Sequence, residues 1–173
     1  MNMENFKKWV CKAIEMEEKG KKFYEKAAAD CDQGLGKEIF SMLRDDELKH
    51  IERIKEIEKA LNQNQGLANA CALPDDHQDP GNIFRKIAAR SQVHKACPST
   101  VKALKTGIDF ELALVKFYED ALEKAQDNLE KQFLKHMVAE EKGHYDLLED
   151  LSFYYEDPEG WAIEQDKAGL DGA

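Results

Sequence analysis

The pentad Asp46-Glu47-Leu48-Lys49-His50 returns 94 residues later as Glu140-Glu141-Lys142-Gly143-His144, and this return leaves few folds open to the chain. Each copy lies in a long stretch of helical periodicity, where a Glu and a His three apart share one face and can bind one metal. The same offset maps Glu17 onto Glu111 and Tyr24 onto Tyr118. Each half therefore carries a lone Glu, a Tyr seven residues on, and Glu-x-x-His thirty residues after the first Glu. Long helices must stand side by side for these groups to meet, and the pattern has the form of a two-metal site.

The 173 residues, 42% hydrophobic and 35% charged, suit one compact domain with an ample core. Only four prolines and ten glycines stand against abundant Glu, Lys, Ala and Leu, so the expected class is all-α. A formal charge of −10 with no basic stripe argues against a nucleic-acid partner and favours attraction of cations. No apolar run approaches spanning length, and Met1 to Ile14 mixes Glu4, Lys7, Lys8 and Lys12 among its apolar residues. The expectation is a cytoplasmic protein with no membrane partner. Cys11, Cys31, Cys71 and Cys97 lie far apart without a Cys-x-x-Cys pair, so neither a rubredoxin-type iron site nor a local dithiol is read, and reduced thiols are expected.

The spacing predicts a first helix over about residues 3–30, with the stripe Val10, Ile14, Glu17, Tyr24 and Ala28 interrupted at Lys21. Gln33-Gly34-Leu35-Gly36 breaks the pattern as a tight connection to an antiparallel neighbour over about 37–62, with stripe Phe40, Leu43, Glu47, His50, Ile54, Ile57 and Leu61. Residues 63–99 interrupt the periodicity except for an amphipathic piece at about 83–93. So long a link lets the second and third bundle helices run parallel by crossing the length of the bundle. Pro98-Ser99-Thr100 opens a third helix over about 99–126 with stripe Val101, Leu104, Ile108, Glu111, Val115, Tyr118, Leu122 and Ala125. The fourth, about 129–156, carries Leu134, Met137, Glu141, His144, Leu148, Leu151 and Tyr155 and ends at Asp157-Pro158. The expected organisation is a four-helix bundle over 1–156 with its crossover at 63–99, and a tail at 157–173 whose Trp161 packs back on the bundle.

Carboxylates and imidazoles at the centre of four apolar stripes would make a poor core unless something neutralised them, since each buried unpaired charge costs several kcal/mol. Glu17, Glu47, Glu111 and Glu141 supply four negative charges and neutral His50 and His144 none, which balances two divalent cations. The set is what a di-iron or di-manganese carboxylate bundle requires: Glu17 and Glu111 terminal, Glu47 and Glu141 bridging, one His per metal. Oxygen and imidazole donors suit iron, with manganese or zinc as alternatives. Without cations, the crowded carboxylates should resist ionisation. Tyr24 and Tyr118 read either as core aromatics or as hydrogen-bond donors to a ligand carboxylate, and their equal spacing from a Glu favours the latter. Lys21 is read as snorkelling and His136 as an exposed helix residue. Cys71, His77, His94 and Cys97 match no familiar zinc spacing.

The half-motifs Glu17-x-x-Gly20-x-x-Phe23-Tyr24 with Glu47-x-x-His50, and Glu111-x-x-Leu114-x-x-Phe117-Tyr118 with Glu141-x-x-His144, resemble the ferritin-like superfamily and within it the rubrerythrin-like branch, over about residues 8–156. The resemblance implies a ferritin-like four-helix bundle around a non-haem di-iron centre that reduces peroxide or dioxygen with two electrons shared between the irons. It is similar in its last residues too, from Trp161 through Gly172. Two departures change what carries over. Rubrerythrins usually place a further Glu one turn after the first ligand of the third helix, and that position is Leu114 here. The rubredoxin module is absent, so a separate electron donor protein such as a rubredoxin is expected. The alternative reading is a ferroxidase of an iron-storage shell, whose ligands are nearly the same. A homodimer would select the oxidoreductase and a large closed assembly the ferritin. A bundle that keeps the motif without turnover would be equally stable with and without metal.

Overall fold

In the computed structural model, residues 3–31, 34–63, 80–90, 96 and 98–170 are described. They form α1 (Met3–Ala29), α2 (Leu35–Asn62), α3 (Pro80–Arg90), α4 (Pro98–Lys124), α5 (Asn128–Glu156) and α6 (Pro158–Leu170), with no strand among the described residues. The four long helices begin and end within two residues of their expected positions. Local chemistry sets these ends. Gly34 takes φ 109°, a left-handed conformation that side chains resist, so α2 starts directly after it at Leu35. The Asp127 carboxylate accepts from the backbone N–H groups of Leu129 and Glu130 at 2.9 and 3.2 Å, which caps the start of α5.

Side-chain pairings give the direction of each helix. Tyr24 stacks on Phe40 at 6.2 Å while Glu17 meets His50, so α1 and α2 are antiparallel. Tyr24 donates to Glu111 and Tyr118 donates to Glu17, which makes α1 and α4 antiparallel as well. Glu111 faces His144 and Glu119 faces Lys142, so α4 and α5 are also antiparallel. It follows that α2 and α4 are parallel, the arrangement the long link requires. Of that link, the described part contains α3, which packs on α5 and α2.

Two apolar clusters fill the bundle at different levels. Phe6, Val10, Ile54, Ile57, Leu114 and Phe133 belong to one. Leu35, Ile39, Phe40, Phe84, Leu148 and Leu151 belong to the other. Glu17, Glu47, His50, Glu111, Glu141 and His144, all buried, lie on the same helices between these levels as a polar layer, whereas the buried Glu130 accepts from the Trp9 indole N–H at 3.0 Å near the start of α5.

Several details depart from the sequence reading. The tail is a helix, because Asp157 both ends α5 and caps α6: its Oδ1 accepts from the Gly160 N–H at 2.9 Å, and Pro158 stands at the first helical position. Trp161 is buried against Phe84 of α3 and Tyr154 of α5, at ring distances of 5.1 and 5.3 Å. Val101 is 59% exposed, because in the first turn of α4 it is Thr100 that turns inward, its Oγ1 2.8 Å from Cys31 Sγ. Cys31 is disulfide-bonded, against the expectation of reduced thiols, and its partner lies outside the described residues. Cys11 is free and exposed. Leu61, Cys71, His77, His94 and Cys97 have no described side chain. Among the described residues, no helix is long and apolar enough to cross a membrane.

Candidate metal centre

All six residues singled out by the repeat meet in this polar layer. Glu17, Glu47, Glu111 and Glu141 are completely buried, and His50 and His144 are 7% and 5% exposed. Their donor atoms fall into two groups that share a member. Glu47, Glu111, Glu141 and His144 place one donor atom each within 4.8 Å of one another, as do Glu17, Glu47 and His50. Glu141 spans the two groups: its Oε1 is 3.2 Å from His50 Nδ1 and its Oε2 is 3.2 Å from His144 Nδ1. The two imidazole rings lie nearly parallel with centroids 5.4 Å apart.

The hydrogen bonding tests whether a metal belongs here. Both oxygens of Glu47 and of Glu141, one oxygen of Glu111 and both nitrogens of His144 are buried without a hydrogen-bond partner. Leaving so many polar atoms unsatisfied would cost of order 1–3 kcal/mol each, more for charged groups. Carboxylate and imidazole atoms converging from four helices are the donor set for two divalent cations of the iron or manganese type, so the residues fit the group.

Charge within the metal-free layer is distributed unevenly. Burial, reinforced by Glu17, pushes the Glu47 carboxyl well above its usual range. Burial likewise raises Glu111, to about 7, against the pull of His144. Glu141 moves the other way. Burial opposes its charge, but it lies between two imidazoles that hold its carboxyl far below the ordinary value. Crowded carboxylates resist ionisation at Glu47 and Glu111, whereas at Glu141 the neighbouring histidines win. Burial disfavours a charge on either imidazole; Glu141 and Glu17 around His50, and Asp46 and the ligand carboxylates around His144, outweigh it and raise both. Protons thus take the place that cations would fill.

Tyr24 and Tyr118 occupy positions off the repeat's own half. Tyr24 of α1 donates to Glu111 of α4, and Tyr118 of α4 donates to Glu17 of α1. Burial, with the adjacent carboxylates, raises both phenols well above their usual range, so each stays protonated and keeps the proton it donates to its carboxylate. Gly20 allows the close approach of α1: a Cβ there would lie 2.7 Å from Glu47 Oε2 and 2.7 Å from the Phe110 ring. In Gly20→Ala, the gain in helix propensity of about 1 kcal/mol offsets part of the clash. The expected outcome is a folded bundle with a reduced metal-to-protein ratio, read by circular dichroism together with elemental analysis.

Three residues around the centre escaped the sequence reading, two of them facing its imidazoles. Asp46 Oδ2 lies 3.8 Å from His144 Nε2, and Glu140 Oε2 lies 3.9 Å from His50 Nε2, ion-pair rather than hydrogen-bond distances. They are related by the same offset of 94, and each faces the imidazole of the opposite half. The neighbouring His50 imidazole lowers the Glu140 carboxyl; burial opposes charge on Asp46, but His144 and Lys49 hold it below its usual range. The third is His136, expected to be exposed, whose side chain is only 17% exposed and sits 3.6 Å from Glu140. The signal that could have found Asp46 and Glu140 is the acid directly before each ligand Glu. Carboxylates behind a ligating imidazole fix its orientation and raise its basicity. Asp46→Asn is therefore expected to weaken metal binding about 10- to 100-fold with the fold intact, measured by competition with a chelator.

No significant match was found among curated proteins or among solved structures. The family model described as Rubrerythrin matches residues 8–152, which takes in every donor described above, and the chain belongs to the rubrerythrin family, a di-iron family of the ferritin-like superfamily.

Proposed function

We propose that the protein is a non-haem di-iron oxidoreductase that reduces peroxide or dioxygen at this layer. The supporting observation is the set of buried donor atoms on Glu47, Glu111, Glu141 and His144 that have no hydrogen-bond partner within the protein. In this reading Glu17 and Glu111 are terminal ligands, Glu47 and Glu141 bridge, and His50 and His144 each serve one metal. When bound, two irons supply the two electrons that, with two protons, convert hydrogen peroxide to two waters. The protein's part is positional. Tyr24 and Tyr118 hold Glu111 and Glu17 by their phenol protons. Leu114 and Tyr118, both fully buried, keep water from the layer on the α4 side. The reducing equivalents come from a separate donor protein such as a rubredoxin, because the four cysteines include no Cys-x-x-Cys pair. This reading takes the protein as a homodimer, the small assembly that distinguishes it from a storage shell.

Leu114 bears on the choice of oxidant. It is fully buried in the apolar cluster beside the layer, one turn after Glu111, so no carboxylate there can exchange with a ligand. The reduced, iron-loaded protein is therefore expected to react with dioxygen at a rate comparable to peroxide. Stopped-flow mixing of anaerobically reduced protein with each oxidant, following the absorption of the oxidised centre, measures both rates. Peroxide faster by several orders of magnitude would show that Leu114 does not set the preference, and Leu114→Glu would then change little. No oxidation by either would reject the oxidoreductase reading, and a large closed assembly in solution would favour iron storage.

A further inference from the structure

His50 and His144 turn their Nδ1 atoms toward the layer of ligands and their Nε2 atoms away from it, toward Glu140 and Asp46. On that outer side lies a cavity of about 520 Å³ between α2, α5 and the start of α3. Lys49, Glu52 and Glu56, all exposed, stand at its rim, and the two histidines close its inner end. The lining carries four carboxylates, Asp46, Glu52, Glu56 and Glu140, against the basic side chains of Lys49 and Arg53. Lys49 is bound to Asp46 at 2.6 Å and Arg53 to Glu56 at 3.0 Å, so the four carboxylates outweigh the two cations and the lining keeps a net negative charge. The resulting field favours divalent cations.

Donor atoms form a graded path inward. His136 Nε2 is 3.6 Å from Glu140 Oε1, and Glu140 Oε2 is 3.9 Å from His50 Nε2. Glu140 also offers a donor atom within 4.8 Å of one from each of His50 and His144. Independently of the acids, His144 Nε2 is buried without a hydrogen-bond partner and borders this cavity. It is therefore a nitrogen presented to whatever occupies the space.

We propose that this cavity is the port through which divalent cations reach the centre, and that His136 and Glu140 hold each cation transiently at its inner end. The inference rests on the metal-centre reading above. Neither His136 nor Glu140 is among the six ligands, so a cation held by them leaves those ligands available to receive it. A neutral imidazole offers a lone pair at one nitrogen only. His50 or His144 can therefore meet a cation at Nε2 or hold a metal at Nδ1, but not both, and the outer position empties as the inner one fills. A permanent third metal site would need donors that do not change sides in this way.

Loading of the full-length, metal-free protein with Co²⁺ tests the port, with stopped-flow absorption giving the rate and equilibrium titration giving stoichiometry and affinity. His136→Ala is expected to slow loading about tenfold. It should leave two cations per chain and an unchanged affinity, since His136 lies against Glu140 and not against any of the six donors. His136→Glu, which returns a metal donor to this position in the form of a carboxylate, is expected to recover the rate, as a merely structural role for the imidazole would not. Glu52→Lys at the rim should also slow loading. Normal loading by His136→Ala, or no recovery in His136→Glu, overturns the port while leaving the centre standing. Failure of the unaltered protein to bind two cations at equilibrium overturns the centre and the port together.

Discussion

Stripping the metals lowers the melting temperature, and the gap between loaded and stripped protein widens as pH rises from about 5 to about 8. The sign follows from which state binds more protons. In the stripped, folded chain, burial keeps Glu111 protonated up to about 7, whereas the unfolded chain releases that proton near its ordinary value of 4.5. A group raised on folding contributes stability below its unfolded value and loses it as pH rises through the folded one. A shift of that size corresponds to on the order of 3 kcal/mol. Glu47, His50 and His144 are raised as well, so their contributions also fall away with rising pH. Glu141, Asp46 and Glu140 are lowered, and theirs disappear only as pH drops below the ordinary carboxylate range. The stripped protein is therefore most stable in weak acid. In the loaded protein, cations take the place of the protons, and binding strengthens as ligands deprotonate. At neutral pH a difference of about 10 °C is expected for a chain of this size. Calorimetric melting of chelated and metal-loaded protein at several pH values measures it, and a gap that is absent, or that narrows between pH 6 and 8, would contradict a central metal site.

How much of this the sequence disclosed depends on whether a residue lies on the apolar stripe of its own helix. Six of the buried Glu and His residues were legible because they interrupt four such stripes at positions related by one offset. Asp46 and Glu140 precede a stripe residue by one position, about 100° around the helix, and read as solvated surface. Only the neighbouring helix, which turns a histidine toward each, makes them part of the centre. The tyrosines show the same limit. Seven residues along a helix separate Tyr24 from Glu17 by about 10 Å, too far for a hydrogen bond, so each phenol had to find a carboxylate on another helix. Which one depends on α1 and α4 running antiparallel, a property of the packed bundle. The tail helix was hidden for another reason. Asp157-Pro158 is a stop signal for the preceding helix and equally a cap and first turn for the next, and the tertiary contact of Trp161 with Phe84 accompanies the second use.

Substitution at the shared carboxylates should empty the centre, whereas loss of one imidazole should halve its content. Glu47 belongs to both donor groups, and Glu141 directs one oxygen at each imidazole nitrogen, 3.2 Å away in both cases. Removing either carboxylate withdraws a donor from both metals at once and leaves the remaining charge too small to hold two cations. Glu47→Ala and Glu141→Ala are expected to retain between about zero and one metal per chain. His50 and His144 each present Nδ1 to one side of Glu141, and neither adds charge when neutral. His50→Ala and His144→Ala should therefore retain about one metal, the one on the opposite side. Elemental analysis of protein loaded under the same conditions gives the ratios, and circular dichroism separates metal loss from unfolding. A full complement of two in both histidine variants would mean that the imidazoles are not ligands. Equal losses in all four variants would mean that the two metals bind only as a cooperative pair, with no metal held by one half alone.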